Sequence, residues 1–384
     1  MKKYGIGIVG CGMISEYHAR AIAELPNARL AAVASRHEEN ARKLTDLYKV
    51  PWHKDYEQII RRDDVDIVSI CTPSGAHLEP AVAAATAHKH VIVEKPLEVT
   101  LERCDAIIQA CARNKVQLCA VFPSRFQDVN QALKRAIEQG RFGRITVADV
   151  YNKWWRTQQY YDSGGSSRTA CPPSVWRAGA SWRGTWKLDG GGALMNQAIH
   201  AVDLLQWFMG AVDSVAAFTD LLCHERIEVE DTAVAALRFK NGAVGTIEAT
   251  TSIWPGFTRR IEIHGCKGSV KLDSENIEVW QFESELPEDA RIRERYARKS
   301  ALSGGAADPR AITHEYHRRQ FADFIKAIDA GREPLVHGRE GRKAVEIILA
   351  IYESNRTRRF VKLPLRTKVK PRGRAPRKRE HRRS

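Results

Sequence analysis

The 384-residue sequence predicts an α/β chain of two domains, a parallel doubly wound sheet followed by a unit built from successive strands. Three observations carry that expectation. The length exceeds what one ordinary core encloses. Up to Phe122, short apolar runs alternate with helically spaced segments, the pattern of a sheet whose crossovers are helices. Beyond Phe122 the alternation stops, and strand-like runs follow one another with turn residues between them. The expected division is 1–122, 123–365 and a terminal extension over 366–384.

Residues 4–10 form the first expected strand, and from Ile14 onward Ala19, Ile22 and Ala23 recur on one helical side. Between them lies Gly10-Cys11-Gly12-Met13-Ile14-Ser15. Gly10 suits a tight turn, Gly12 lets backbone approach a pyrophosphate at the helix N-terminus, and Ser15 stands where a small residue permits close packing. Gly10, Gly12, Met13 and Ile14 are therefore candidate dinucleotide contacts. Further strands are expected at 30–34, 67–71 and 90–93, with helices near 38–48, 55–62 and 76–88. Strand ends face the ligand crevice in such a sheet, and here they carry Ser35-Arg36, Thr72-Pro73-Ser74 and Glu94-Lys95-Pro96. Where an acidic residue would bind the ribose 2′-hydroxyl of NAD, this chain has Ser35 and Arg36. A carboxylate repels a 2′-phosphate, whereas a hydroxyl beside a guanidinium binds one, so NADP(H) is favoured over NAD(H). The alternative, a merely solvent-facing Arg36, stays open.

In the second half, strands are expected at 144–151, 213–219, 232–239, 243–250, 259–264 and 276–282, with Asn241-Gly242 marking a hairpin. Helices near 312–330 and 340–355 come late and are expected to return over the first domain. Asp189-Gly190-Gly191-Gly192 precedes a helical segment in which Asn196 and His200 are one turn apart and Asp203 follows on the same face. Glycines there would clear space for a ligand and leave N–H groups facing it.

Between Trp154 and Trp186 lie five of the nine tryptophans, with Tyr160, Tyr161, Arg156, Arg168, Arg177 and Arg183. Aromatic faces suit the C–H faces of a sugar ring, and arginines suit carboxylate or phosphate. Tyr151, Trp155 and Arg156 are candidate substrate contacts. A lid over the site and a subunit interface are both compatible with this segment.

The net charge of +15 is concentrated at the C-terminus, where ten Lys/Arg and one Glu follow Leu365. That extension is expected to be disordered, and nucleic acid enters only as a partner for it. No run of 18 apolar residues predicts a membrane span. The N-terminal Gly-rich run lacks a cleavage-type sequence and reads as a strand rather than a leader. Eight cysteines form no C-x-x-C pair or ligand-spaced cluster, which predicts reduced thiols in a cytoplasm and no metal.

At Glu94-Lys95-Pro96 the sequence resembles the Gfo/Idh/MocA oxidoreductases. The likeness extends from Gly10 to Pro364, through the glycine turn with His18, Thr72-Pro73 with His77, the glycine segment ending in His200 and Asp203, and the stretch from Gly338 to Leu363. It implies a Rossmann domain followed by an α+β domain with a large open, mostly antiparallel sheet, through which copies form a homodimer or homotetramer. It implies a nicotinamide cofactor and a small-molecule sugar substrate. By the same resemblance Lys95 stabilises an alkoxide, His200 exchanges the proton, Asn196 and Asp203 meet the substrate, and Thr72, Pro73, His77, Glu94, Trp182 and Arg183 lie near the cofactor. The Lys95-Pro96 bond is expected to be cis.

Many members have aspartate where this chain has Asn196, and an amide cannot take a proton. Asn196 is therefore expected only to orient substrate or Lys95. Members acting on nucleotide-linked N-acetyl sugar acids share that asparagine, which points toward sugars and away from free inositol. The expected activity is hydride transfer to or from a secondary hydroxyl or ketone of a sugar. Two alternatives are a cofactor-retaining glycosidase acting through transient oxidation and a non-catalytic cofactor-sensing regulator.

Overall fold

The computed structural model describes residues 2–162, 181–297 and 313–365. The basic extension and the middle of the aromatic insert, 163–180 with Arg168 and Arg177, lie outside them.

Six parallel strands make the first sheet: β1 (Tyr4–Val9), β2 (Ala28–Ala34), β3 (Trp52–His53), β4 (Ile67–Ile70), β5 (His90–Val93) and β6 (Leu118–Ala120), in the order β3-β2-β1-β4-β5-β6. Helices α1 (Met13–Ala23), α2 (Glu38–Tyr48), α3 (Tyr56–Ile60), α4 (Leu78–Thr86) and α5 (Leu101–Arg113) supply crossovers. Ile67–Ile70 is buried throughout because a parallel strand covered on both faces leaves no solvent side. The strand order reverses between β1 and β4, which opens a crevice at their C-terminal ends. β3 and β6 were not foreseen, since two or three residues carry no readable period.

The second sheet contains β7 (Ile145–Lys153), β8 (Val212–Asp220), β9 (Thr232–Phe239), β10 (Val244–Thr250), β11 (Arg260–Gly265), β12 (Gly268–Asp273), β13 (Asn276–Phe282) and β14 (Val361–Lys362). Its order is β13-β12-β11-β7-β10-β9-β8-β14, antiparallel except where β7 meets β10. Gly242, at φ 90°, turns the β9–β10 hairpin.

The remaining helices are α6 (Asp128–Glu138), α7 (Gln158–Asp162), α8 (Ile199–Met209), α9 (Pro287–Arg295), α10 (Glu315–Ala330) and α11 (Gly338–Thr357). One sheet face packs on α8 and α11, burying Ala233, Ala235, Leu237 and Phe239 of β9 at period two. Helix α10 returns to the first domain, where Phe321, Phe324 and Ile325 join Ile8 and Ile22 in one core.

Candidate active site

At the β1–β4 crevice, Gly10 adopts φ 95°, and a methyl group on it would lie 2.7 Å from the Cys71 carbonyl carbon. Gly12 caps α1 without a side-chain bond, and nothing lies within 4 Å of the place its Cβ would occupy. An open cradle at a helix N-terminus fits a dinucleotide pyrophosphate, with Met13 and Ile14 opening the helix beside it. Ser15 is buried and its hydroxyl donates to the Gly12 carbonyl at 2.5 Å. At the end of β2, Ser35 Oγ accepts the His37 N–H at 3.4 Å, while Arg36 is exposed. Pro73 precedes a short 3-10 turn, and Thr72 Oγ1 donates to Ala76 at 3.0 Å.

Two expected cofactor contacts turn inward instead. His77 is buried and bridges the Pro96 and Thr72 carbonyls, each at 3.0 Å, stapling the two loops together. Glu94 Oε1 pairs with His18 Nε2 at 2.8 Å, and its Oε2 accepts the Lys95 N–H at 3.0 Å. Both are buried, His77 at the start of α4 and Glu94 directly after β5. Ser69 completes the contact by bonding His18 Nδ1 at 2.8 Å, and His317 Nε2 of α10 lies 4.0 Å from Glu94. Burial alone would raise the Glu94 carboxyl, but His18, His317 and Lys95 hold it at about 2. Enclosure and His18 push His317 down to about 3. Spacing in the sequence gives no hint of this grouping, whose members are far apart along the chain.

The Lys95-Pro96 bond is cis. Lys95 Nζ donates to the Asn196 carbonyl at 2.6 Å, reaching from the first domain to the glycine segment. There Ala193–Ala198 forms a π-helical stretch before α8 begins at Ile199. The wider turn shifts Asn196 off the straight i, i+4 register with His200 that α-helical spacing predicts. Enclosure and the Lys95 charge push the His200 imidazole well below its ordinary pKa, and its Nδ1 has no hydrogen-bond partner among the described residues. Phe122 packs edge-on to the ring at 5.6 Å. A neutral imidazole with an uncommitted nitrogen, beside an ammonium, can accept a proton.

The glycines answer to packing rather than to a ligand. A methyl group on Gly190, Gly191 or Gly192 would lie 2.6 Å from Val99, 2.0 Å from the Tyr352 hydroxyl and 2.0 Å from the Glu230 carbonyl respectively. The N–H groups of Gly192 and Leu194 are taken by the Glu230 carboxylate. The Asn196 amide donates to Asp189 and accepts from Gln197 Nε2, so only its carbonyl serves Lys95. Burial raises Asp189 to about 6, against the Gly184 N–H and Asn196.

Asp203 does not meet the cleft. It is fully buried and binds Arg125 at 2.6 and 2.8 Å, and Arg125 also binds Glu340 at 2.9 Å. Asp203 lies almost a full turn beyond His200 on the same side of α8, where the buried Arg125 guanidinium takes up its carboxylate. Tyr151 also leaves the site. Period two on β7 buries Val150 and Asn152 and sends Tyr151 to the outer sheet face, near Thr246, Glu248 and Glu262.

The aromatic wall survives in part. Arg156 lies 4.9 Å from the Trp154 ring and 5.5 Å from Tyr160; Arg183 lies 4.4 Å from Tyr160 and 5.3 Å from Trp182. Gln197 Nε2 donates to the Tyr160 hydroxyl at 2.8 Å, which ties this wall to the Asn196 turn. Trp155 stands further out, against Trp254 and His224.

Residues 4–122 match the description "Oxidoreductase family, NAD-binding Rossmann fold", and residues 134–363 match "Oxidoreductase family, C-terminal alpha/beta domain". The chain belongs to the Gfo/Idh/MocA oxidoreductases. The crystal structure of the WlbA dehydrogenase from Bordetella pertussis in complex with NADH and UDP-GlcNAcA is similar, at TM-score 0.82 and 34% identity over 95% of this chain and 99% of that one. The WlbA dehydrogenase of Chromobacterium violaceum, also with NADH and UDP-GlcNAcA, is 32% identical at TM-score 0.82, covering 96% and 98%. Myo-inositol 2-dehydrogenase of Thermotoga maritima is 28% identical over 93% of this chain and 98% of its own. As a Gfo/Idh/MocA oxidoreductase, the protein carries a nicotinamide-dinucleotide domain, and the glycine cradle is consistent with it.

Proposed function

We propose that this oxidoreductase transfers hydride between a nicotinamide cofactor and a secondary hydroxyl or ketone of an acidic, nucleotide-linked sugar. The observation that carries the reading is the Lys95 bond to the Asn196 carbonyl, which brings an ammonium beside His200. A nicotinamide held at the Gly10–Gly12 cradle would supply the hydride acceptor or donor. Lys95 steadies the developing alkoxide, and neutral His200 takes the hydroxyl proton. The alkoxide's charge offsets the repulsion that Lys95 exerts on an imidazolium. Arg156 and Arg183, stacked on Tyr160, supply positive charge for a carboxylate or phosphate on the sugar. The likeness to dehydrogenases solved with UDP-GlcNAcA supports that substrate class.

The finer readings belong to the same proposal. NADP(H) is preferred over NAD(H) because Ser35-Arg36 directly follows β2 and Arg36 is exposed there; the NADH held by the two WlbA relatives is the competing outcome. Copies associate through the outer sheet face, where the paired Phe218 and Val234 are 80% and 46% exposed. A cytoplasmic setting accords with the seven described cysteines, which remain free thiols. No described helix is long and apolar enough to cross a membrane.

Thermal denaturation with NAD, NADP, UDP-linked uronic acids, free uronic acids and neutral sugars tests the reading, since a specific ligand raises Tm by mass action. Protection by a nicotinamide and by an acidic sugar is expected, followed by turnover with that pair. Protection and turnover with neutral sugars alone would remove the acidic class.

A further inference from the structure

The Glu230-Asp231 dipeptide at the entrance to β9 reaches both halves of the site. The π-helical stretch has no side-chain cap at Gly192, and Glu230 supplies one from outside. Its Oε2 accepts the Gly192 N–H at 3.1 Å, its Oε1 accepts the Leu194 N–H at 2.8 Å and the Tyr352 hydroxyl at 2.9 Å, and its carbonyl accepts the Ala193 N–H at 3.0 Å. The approach requires Gly191 and Gly192, as the 2.0 Å clearances to Tyr352 and Glu230 dictate. An anion at a helix N-terminus is also favoured by the aligned peptide dipoles. Burial raises this carboxyl to about 7 even against the Leu194, Gly192 and Tyr352 donors, all of which are aimed at its oxygens.

Asp231 points the other way along the strand. Its carboxylate accepts the N–H groups of Leu222, Cys223 and His224 at 2.9, 2.8 and 2.9 Å, and bonds His224 Nδ1 at 3.0 Å. His224 Nε2 bonds the Arg156 carbonyl at 2.8 Å. The imidazole thereby spans Asp231 and the Arg156 backbone as a strut held at both ring nitrogens.

We propose that Glu230 and Asp231 are paired positioning residues, Glu230 setting the turn that presents Asn196 and His200 to Lys95, and Asp231, through His224, setting the backbone of Arg156 at the sugar-recognition wall. The kinetic side of this rests on the function proposed above. Two adjacent carboxylates then have separable effects, one on the chemical step and one on substrate binding.

The experiment uses the full chain with its preferred nicotinamide and the sugar identified by the ligand panel. In Glu230→Gln the amide turns a donor toward groups that all donate; kcat is expected to fall about tenfold or more with KM within about twofold. Tyr352→Phe removes one donor with little change in volume and gives a smaller fall of the same kind, and it decides the matter should Glu230→Gln not fold. His224→Gln, which leaves the three backbone bonds of Asp231 in place, is expected to raise KM about tenfold with kcat within about twofold.

A second readout needs no substrate. The imidazole of His200, faced by Lys95, Glu94, Arg259 and His317, is followed by NMR of 13C-histidine-labelled protein. Its titration moves toward the ordinary histidine range in Glu230→Gln and Tyr352→Phe and stays put in His224→Gln. An unmoved titration in the first two variants, or identical kinetic signatures for the Glu230 and His224 variants, overturns the proposal. If the wild type oxidises no acidic sugar, the functional reading falls, and the His200 titration still decides the Glu230 half.

Discussion

Lys95 Nζ and the carbonyl oxygen of Asn196 lie 2.6 Å apart although 101 residues separate them. The contact joins the end of a parallel strand in one domain to the turn that opens α8 in the other. Burial holds His200 neutral, and the same ammonium that meets Asn196 adds to it by acting on the imidazole.

Removing either partner should disable chemistry without emptying the cofactor crevice. Lys95→Ala and His200→Ala are each expected to lower kcat by about 100-fold or more, the range for a general acid-base or charge-stabilising group. Dinucleotide affinity, read from quenching of protein fluorescence, should change by no more than about threefold, since the glycine cradle is intact. Near-normal turnover in either variant would withdraw its assigned role.

Arg36 offers a sharper test of cofactor choice. Its replacement in Arg36→Ala removes a guanidinium able to pair with a 2′-phosphate, worth about 1.5 to 3 kcal/mol for a hydrogen bond to a charged group. NADP should weaken by about tenfold or more while NAD affinity holds, as measured by calorimetric titration. Equal weakening of both cofactors would place Arg36 outside 2′-phosphate recognition.

Asp203 and Arg125 should behave as structure rather than chemistry. Both are buried, at 0% and 1% exposure, and bond at 2.6 and 2.8 Å. Asp203→Asn leaves the guanidinium short of charge in a closed environment, which costs about 3 to 5 kcal/mol for a broken buried pair. Urea unfolding should register that loss. Turnover per folded molecule should stay close to wild type at a temperature where the variant remains folded, and a selective collapse of kcat would return Asp203 to the active site.

Acid stability carries the signature of His317. Its folded pKa of about 3 lies below the ordinary value of 6.5, so an unfolded chain takes up a proton that the folded chain refuses. Its contribution is whole above pH 6.5 and is lost as pH falls from there toward 3, at a slope of at most about 1.4 kcal/mol per pH unit. Glu94, held at about 2, acts in the same sense but at lower pH. Asp189 and Glu230, raised to about 6 and 7, act oppositely, losing stability as pH rises through those values. The comparison that isolates His317 is therefore wild type against His317→Gln by urea unfolding. The variant should gain relative to wild type between pH 6.5 and 4.5, and a constant difference across that range would contradict the assignment.

The strand and helix pattern of the first domain was legible in the sequence because each element repeats a burial period over several residues. His90–Val93 and Glu38–Tyr48 lie where the periodicity puts them. The succession of strands in the second sheet and its β9–β10 hairpin were legible too, the latter through Asn241-Gly242, while the mostly antiparallel whole was implied by the family resemblance. The interior strand β12 was not, although it alternates, because its six residues stand between two other short strands with no distinctive boundary.

Residue types at the site could be read, but their directions could not. Asp203 faces Arg125, Tyr151 faces the outer sheet, Glu94 faces His18, and the three glycines face Val99, Tyr352 and Glu230. Composition and periodicity determine which segments are buried and which local shapes they favour, since those depend on neighbours within a few residues. Only the tertiary structure decided which oxygen meets which nitrogen, because a side chain's partner is chosen by packing between elements that the chain holds far apart in sequence.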